Sequence, residues 1–205
     1  MRANVVRNDL DDDILAALYS SGEVACDIET TGLNPKIDSI GTVQLHARGI
    51  NDIVLQVSDA HPERLCSLIQ EPRVRKVFHH AMFDLRFMAA HWQVRPKNIA
   101  CTKIASKLLN PHLNGAHHSL QTLLKERLNI CISKEERLSN WTSSSLTSAQ
   151  ISYATADVEH LLPLLNVLEL DLRSSGLIEL FEECISFIPA RVQLDLGGWP
   201  DVFSY

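Results

Sequence analysis

The stretch EVACDIETTGLNP, residues 23–35, decides how this chain is read. EVACDIE (23–29) predicts a strand, and TTGLNP (30–35) ends it, with Gly32 and Pro35 as breakers. On a strand, residues i and i+2 share a face. Asp27 and Glu29 therefore point the same way, at the strand's carboxyl end. Two carboxylates held together repel unless a cation lies between them. An all-oxygen donor set of that kind suits Mg²⁺ or Mn²⁺. Taken alone, an Asp-x-Glu on a strand is more often a solvated edge than a metal site.

Outward from that strand, SIGTVQLHA (39–47) and NDIVLQV (51–57) predict two more strands joined by the Arg48–Gly49 turn, an antiparallel start. Residues 11–20 predict a short helix with acids in its first turn. Further on, 61–70 reads as a helix, RKVFH (75–79) as a short strand and AMFDLRFMAAHW (81–92) as an amphipathic helix. Thr102 is placed to cap the helix KIASKLL, and Ser119 to open SLQTLLKERL. Leu146 to Arg173 is a long helical run with Pro163 marking a kink or break. A last helix spans 177–188, before an apolar, aromatic tail that runs to Tyr205. Three antiparallel strands followed by alternating helix and strand predict an α/β fold with a mixed sheet.

Two further acids join the first pair. Asp84 follows Phe83 in HHAMFDLRFM, in the first turn of a predicted helix, where the dipole alone would favour an acid. Tyr153 and Asp157, in ISYATADVEHLLPL, stand i, i+4 on one helix face. Leu161 and Leu165 continue near that face, which predicts that it looks inward and that Asp157 is buried. A buried, unpaired carboxylate requires a cation. The other reading is a surface tyrosine beside a solvated acid.

The 205 residues, 45% hydrophobic and 21% charged, have ordinary globular composition, and no linker or repeat divides them, so one domain over 1–205 is expected. A net charge of −6 does not advertise a broad basic face for tracking long nucleic acid, while local basic patches stay open. The five Cys lack zinc-type spacing and read as buried thiols in a reducing compartment. No apolar run approaches the roughly 20 residues of a membrane span, so a soluble cytoplasmic protein with no membrane partner is expected. His117–His118 and Ser143–Ser145 read as plain loop polarity.

Asp-x-Glu, then Phe-Asp, then Tyr-x-x-x-Asp, in this order and spacing, resembles the three exonuclease motifs of the DEDD superfamily, and the tyrosine places the resemblance in its DEDDy branch. Over about residues 20–172 the chain is similar to ribonuclease D-type exonuclease domains, through VACDIETTGL, KVFHHAMFDL, SKEERLSNW and LTSAQISYATADVEHL. CTKIASKLL (101–109), NICISKEERLSNW (129–141) and SFIPARVQLDLGGWPDVF (186–203) extend it to the nanoRNase C group, small bacterial exoribonucleases acting on very short RNA. That leaves no room in these residues for the C-terminal helical domains of ribonuclease D. Ser143–Ser145 also depart from the Arg-Pro often found there in ribonuclease D.

The resemblance implies a ribonuclease H-like mixed sheet flanked by helices. It implies two divalent cations, Mg²⁺ or Mn²⁺, held by Asp27, Glu29, Asp84 and Asp157, with Tyr153 orienting the attacking water. The implied reaction is 3′-5′ hydrolysis of very short RNA, dinucleotides included, to 5′-mononucleotides. Substrate contacts are expected from Thr30 and Leu33 after the first motif, from His79 and Phe83 in the second, and from Lys103 and Lys107 at a phosphate; the other readings are a loop leucine packed on the domain, a core phenylalanine and a solvated lysine face. Self-association, into a ring as in the related enzymes, is expected from Trp199, Phe203 and Tyr205, the other reading being a tail that clasps its own domain. The alternatives are a ribonuclease D-like or DNA 3′-5′ exonuclease acting on longer strands, and a non-catalytic scaffold, against which all four acids and Tyr153 speak.

Overall fold

The structure is a computed structural model that describes residues 3–58, 61–133, 135–136 and 138–204. Six strands form one sheet in the order β1-β4-β3-β2-β5-β6. Three of them, β2 (Glu23–Thr30), β3 (Ile40–His46) and β4 (Ile53–Gln56), make the predicted antiparallel meander. On either side the sheet turns parallel. β1 (Asn4–Arg7) joins β4, β5 (Arg75–Phe78) joins β2, and β6 (Ile99–Cys101) joins β5. This is the mixed sheet flanked by helices expected of a ribonuclease H-like fold. β1 and β6 escaped the sequence reading. β1 is mostly exposed, so it shows no inward alternation, and β6 has only three residues.

Two apolar layers cover the sheet. One gathers Val24, Cys26, Leu45, Phe78, Leu85, Phe87 and Met88 under α1 (Asp12–Ser21), α2 (Glu63–Gln70) and α3 (Ala81–Trp92). The other gathers Ala25, Val77 and Ala100 under α4 (Thr102–Leu109), α5 (Leu120–Leu128) and α7 (Leu161–Ser174). α6 (Ser148–Glu159) lies across β2, β3 and β4. α8 (Ile178–Gly197) packs on α3 and brings Ile188 and Val192 into the first layer.

Local chemistry sets the helix ends. Asp11 caps α1 by accepting from the Ile14 amide at 2.7 Å, and Gly22 closes it at φ 70°. Ser119 caps α5, and Thr147 and Gln150 make a reciprocal capping box on α6. Thr102 does not cap α4. It is the helix's first residue, and its hydroxyl pairs instead with His79 Nδ1 at 2.8 Å.

The helical run from Leu146 to Arg173, with a kink or break expected at Pro163, is two helices parted at His160. Pro163, in the first turn of α7, has no amide to bond the Glu159 carbonyl, so the helix cannot continue through it. Leu161 and Leu165 thus belong to α7, and their burial says nothing about Asp157 on α6, which is half-buried. The last helix, expected over 177–188, runs to Gly197 with Pro189 inside it, so only the end of the presumed tail is non-helical. There Phe203 packs edge-on to Phe187 of α8 yet stays 73% exposed, and Tyr205 lies outside the described residues. Cys26, Cys66 and Cys101 are buried as expected, but Cys131 is exposed. Among the described residues no helix is long and apolar enough to cross a membrane.

Candidate active site

Asp27 and Glu29 project from one face of β2, the face that also carries buried Ala25. α6 crosses this part of the sheet and supplies Asp157. One carboxylate oxygen from each of Asp27, Glu29 and Asp157 lies within 4.8 Å of the other two. Asp84 comes from the first turn of α3, immediately beyond β5. It is 3% exposed, and its Oδ1 is buried with no hydrogen-bond partner. The four acids named from the sequence thus converge from two strand positions and two helices.

The electrostatics are those of a site short of positive charge. Burial, and then the charges of Asp84, Asp157 and Glu29, push the Asp27 carboxyl far above the ordinary carboxylate range. Burial pushes Asp84 up to about 7, against partial relief from backbone amides. Gathering carboxylates out of water is unfavourable, and a divalent cation reverses the sign of that arrangement. The donors are all oxygen, and Asp84 keeps an uncommitted buried oxygen, so the residues fit a hard cation such as Mg²⁺.

A cavity of about 330 Å³ opens on these acids. Tyr153, Phe83, His79 and Lys103 line it beside Asp27, Asp84 and Asp157. Burial holds His79 down to about 3, with Lys103 adding to the effect, so the imidazole is neutral at pH 7. Among the described residues Lys103 is the lysine or arginine that lines the cavity, and burial and Lys107 lower its pKa. Phe83 also packs on Phe87 at 5.1 Å, so it serves the core and the cavity wall together.

Not every expected contact is brought in. Lys107 is exposed and outside the cavity lining, and Leu33 is 77% exposed in the turn after β2, also outside it. Thr30 donates its hydroxyl to the Gly32 carbonyl at 2.6 Å and holds that turn. Lys134 and Arg137, within SKEERLSNW, lie outside the described residues.

Other residues were missed. His80, Ser119, Gln121 and Ser133 line the cavity, and His80 stands at φ 127°, a backbone region that side chains other than glycine rarely adopt. A strained residue at the start of α3 carries no sequence signal. His118 is not loop polarity: it is 2% exposed, and its Nδ1 pairs with the Ser106 hydroxyl at 2.8 Å. The Ser143 and Ser144 carbonyls likewise accept from Gln56 and Arg7, fastening that run to the sheet edge.

Comparison with known proteins supplies the context for this geometry. The 3′-5′ exonuclease family profile matches residues 3–173. The chain is similar to Brucella melitensis NrnC with bound Mg²⁺, at 34% identity and a TM-score of 0.91, with all of both chains covered. It is similar to Brucella melitensis NrnC bound to pGG, at 35% identity and a TM-score of 0.91, covering 100% of this chain and 99% of that one. Ribonuclease D of Haemophilus influenzae is 28% identical over 151 residues, which are 73% of this chain and 37% of that protein. The chain spans less than half the length of such curated relatives.

Proposed function

The chain belongs to the 3′-5′ exonuclease family, and from that premise we propose that it is an exoribonuclease that takes very short RNA, dinucleotides included, to 5′-mononucleotides. The observation that carries this reading is the convergence of Asp27, Glu29 and Asp157 beside the buried, uncommitted oxygen of Asp84. These four residues would hold two divalent cations, Mg²⁺ or Mn²⁺. When bound, such ions supply Lewis acidity at the phosphate and lower the pKa of water.

The chain's own groups do the rest. The Tyr153 hydroxyl orients the water that attacks phosphorus from the side opposite the leaving 3′-oxygen. Its ring is held 5.9 Å from that of Trp141. Water loses a proton and adds to phosphorus, the bond to the 3′-oxygen of the preceding nucleotide breaks, that oxygen takes up a proton from solvent to become a 3′-hydroxyl, and the last nucleotide leaves with its 5′-phosphate. Lys103 meets a substrate phosphate, while neutral His79 and Phe83 form the wall against which the nucleotide packs. Thr30 and Leu33 lie outside the cavity lining, and Leu33 has exposed apolar surface to offer a terminal base.

Short substrates are favoured by the charge balance and by similarity. Setting the four site acids aside leaves 21 acidic against 19 basic residues, so each added nucleotide gains little from backbone contacts. The Brucella protein bound to pGG is similar over the whole chain. Exposed Phe187, Trp199, Val202 and Phe203 supply apolar surface for self-association, which light scattering tests directly.

The deciding experiment measures kcat/KM for RNAs of two, three, five and seven nucleotides, with matched DNA, at two salt concentrations. Efficiency greatest at two nucleotides, with a shallow salt slope, is expected. A steady rise with length and a steep slope would move the protein to a ribonuclease D-like role on longer strands.

A further inference from the structure

Tyr153 is held from outside its own helix. Across β2 and β3, Glu29 faces Thr42 while Thr30 faces Ile40, so Gly41 is an extra residue, a bulge opposite the acid-bearing end of β2. The backbone of Trp141 rests on it. A Cβ at position 41 would lie 2.5 Å from the Trp141 carbonyl oxygen and 2.8 Å from its Cβ, so only glycine admits this approach. The Trp141 side chain is 2% exposed, and its ring stands against that of Tyr153 at 5.9 Å and 40°. The same segment is tied to the start of α6, where the Gln150 amide donates to the Asn140 carbonyl at 3.1 Å. The Trp141 indole nitrogen is buried without a hydrogen-bond partner, so the ring is held there by its shape.

We infer that Gly41 and Trp141 are positioning residues that set the Tyr153 hydroxyl against the reacting water, the β3 bulge serving as the seat for the tryptophan. The inference rests on the reading of Tyr153 given above. It differs from a general packing role in one respect: the effect of either residue on turnover must pass through a single oxygen atom.

A double-mutant cycle on the full chain isolates that route. Gly41→Ala and Trp141→Phe are each made in the wild-type and Tyr153→Phe backgrounds. Trp141→Phe removes ring volume and no hydrogen bond, so it carries the cycle if Gly41→Ala does not fold. Each single change is expected to lower kcat on a diribonucleotide by about tenfold, since misplacement of about 1 Å can cost as much as a hundredfold. KM and calorimetric Mn²⁺ affinity should stay within about twofold, and in the Tyr153→Phe background neither change should lower kcat further. Equal losses in both backgrounds overturn the seat and leave the reading of Tyr153 standing. A folded Trp141→Phe protein with unchanged kcat does the same. Normal turnover in Tyr153→Phe alone overturns both.

Discussion

Lys76 and Asp84 are both buried, one on β5 and one in the helix that follows it, and their surroundings differ in kind. Lys76 is fully buried, and its ammonium donates to the Glu71 carbonyl at 2.5 Å and the Val74 carbonyl at 2.8 Å. Its needs are met by the turn it closes. Asp84 keeps an oxygen with no partner, and the charge it acts on is another acid, Asp27, rather than a base. Burial moves each toward neutrality, Lys76 down to about 8 and Asp84 up to about 7. The lysine is a finished structural element, whereas the acid cluster is finished only by a cation from outside. A buried charge marks function when its polar partners are missing, not because it is buried.

Removing one acid from the cluster around Asp84 is the sharpest way to break the comparison. Asp27→Ala should reduce exonuclease turnover by about a thousandfold or more, equivalent to about 4 kcal/mol of lost charge stabilisation. The metal-free variant should melt no lower than the wild type, because a mutually repelling group has gone. Normal turnover in excess chelator, or in a folded Asp27→Ala protein, removes the acid cluster from catalysis.

The two groups also give opposite pH slopes. The folded-state pKa of Asp84 is raised, so the folded protein holds that proton longer than the unfolded chain does. Metal-free stability should therefore fall as pH rises from 4 to about 7, by on the order of 4 kcal/mol at most. Saturating Mg²⁺ should flatten this slope, as melts with and without chelator will show. The folded-state pKa of Lys76 is lowered instead, so stability should rise between pH 8 and about 10.5, by up to about 3 kcal/mol. Lys76→Met should abolish that rise and leave turnover untouched.

Tyr153→Phe deletes one hydroxyl beside the cluster and no carboxylate. Turnover should drop by about ten- to a hundredfold with Mn²⁺ affinity unchanged. Calorimetry beside single-turnover kinetics separates the two, and weakened Mn²⁺ binding with normal chemistry would contradict the positioning role. The smallest effect is expected at Lys107, exposed and outside the cavity. Lys107→Ala should alter KM by less than about twofold, and Lys103→Ala by clearly more.

Legibility in the sequence followed the range of the interaction involved. Asp27 with Glu29, and Tyr153 with Asp157, are pairs set by the strand and helix periods, so spacing alone placed each on one face. That Asp84 closes on them depends on α3 starting where β5 ends, which only the second motif's resemblance suggested. The fates of Lys76 and His118 were out of reach, because their partners are backbone carbonyls and a hydroxyl brought near by turns. The break at His160 was announced by Pro163 but displaced from it, since a proline disrupts the turn before itself. Leu33 shows the converse: a motif match gives a residue a name before the fold has given it a contact.

The chain order of the four acids has a consequence for synthesis. Asp27, Glu29 and Asp84 lie on β2 and α3, within the first half of the sequence, while Asp157 waits on α6 beyond the capping box at Thr147. A chain growing from its amino terminus holds three carboxylates long before the fourth exists. The proposed site is therefore assembled late, and it is complete only once α6 has been made and lies across β2, β3 and β4.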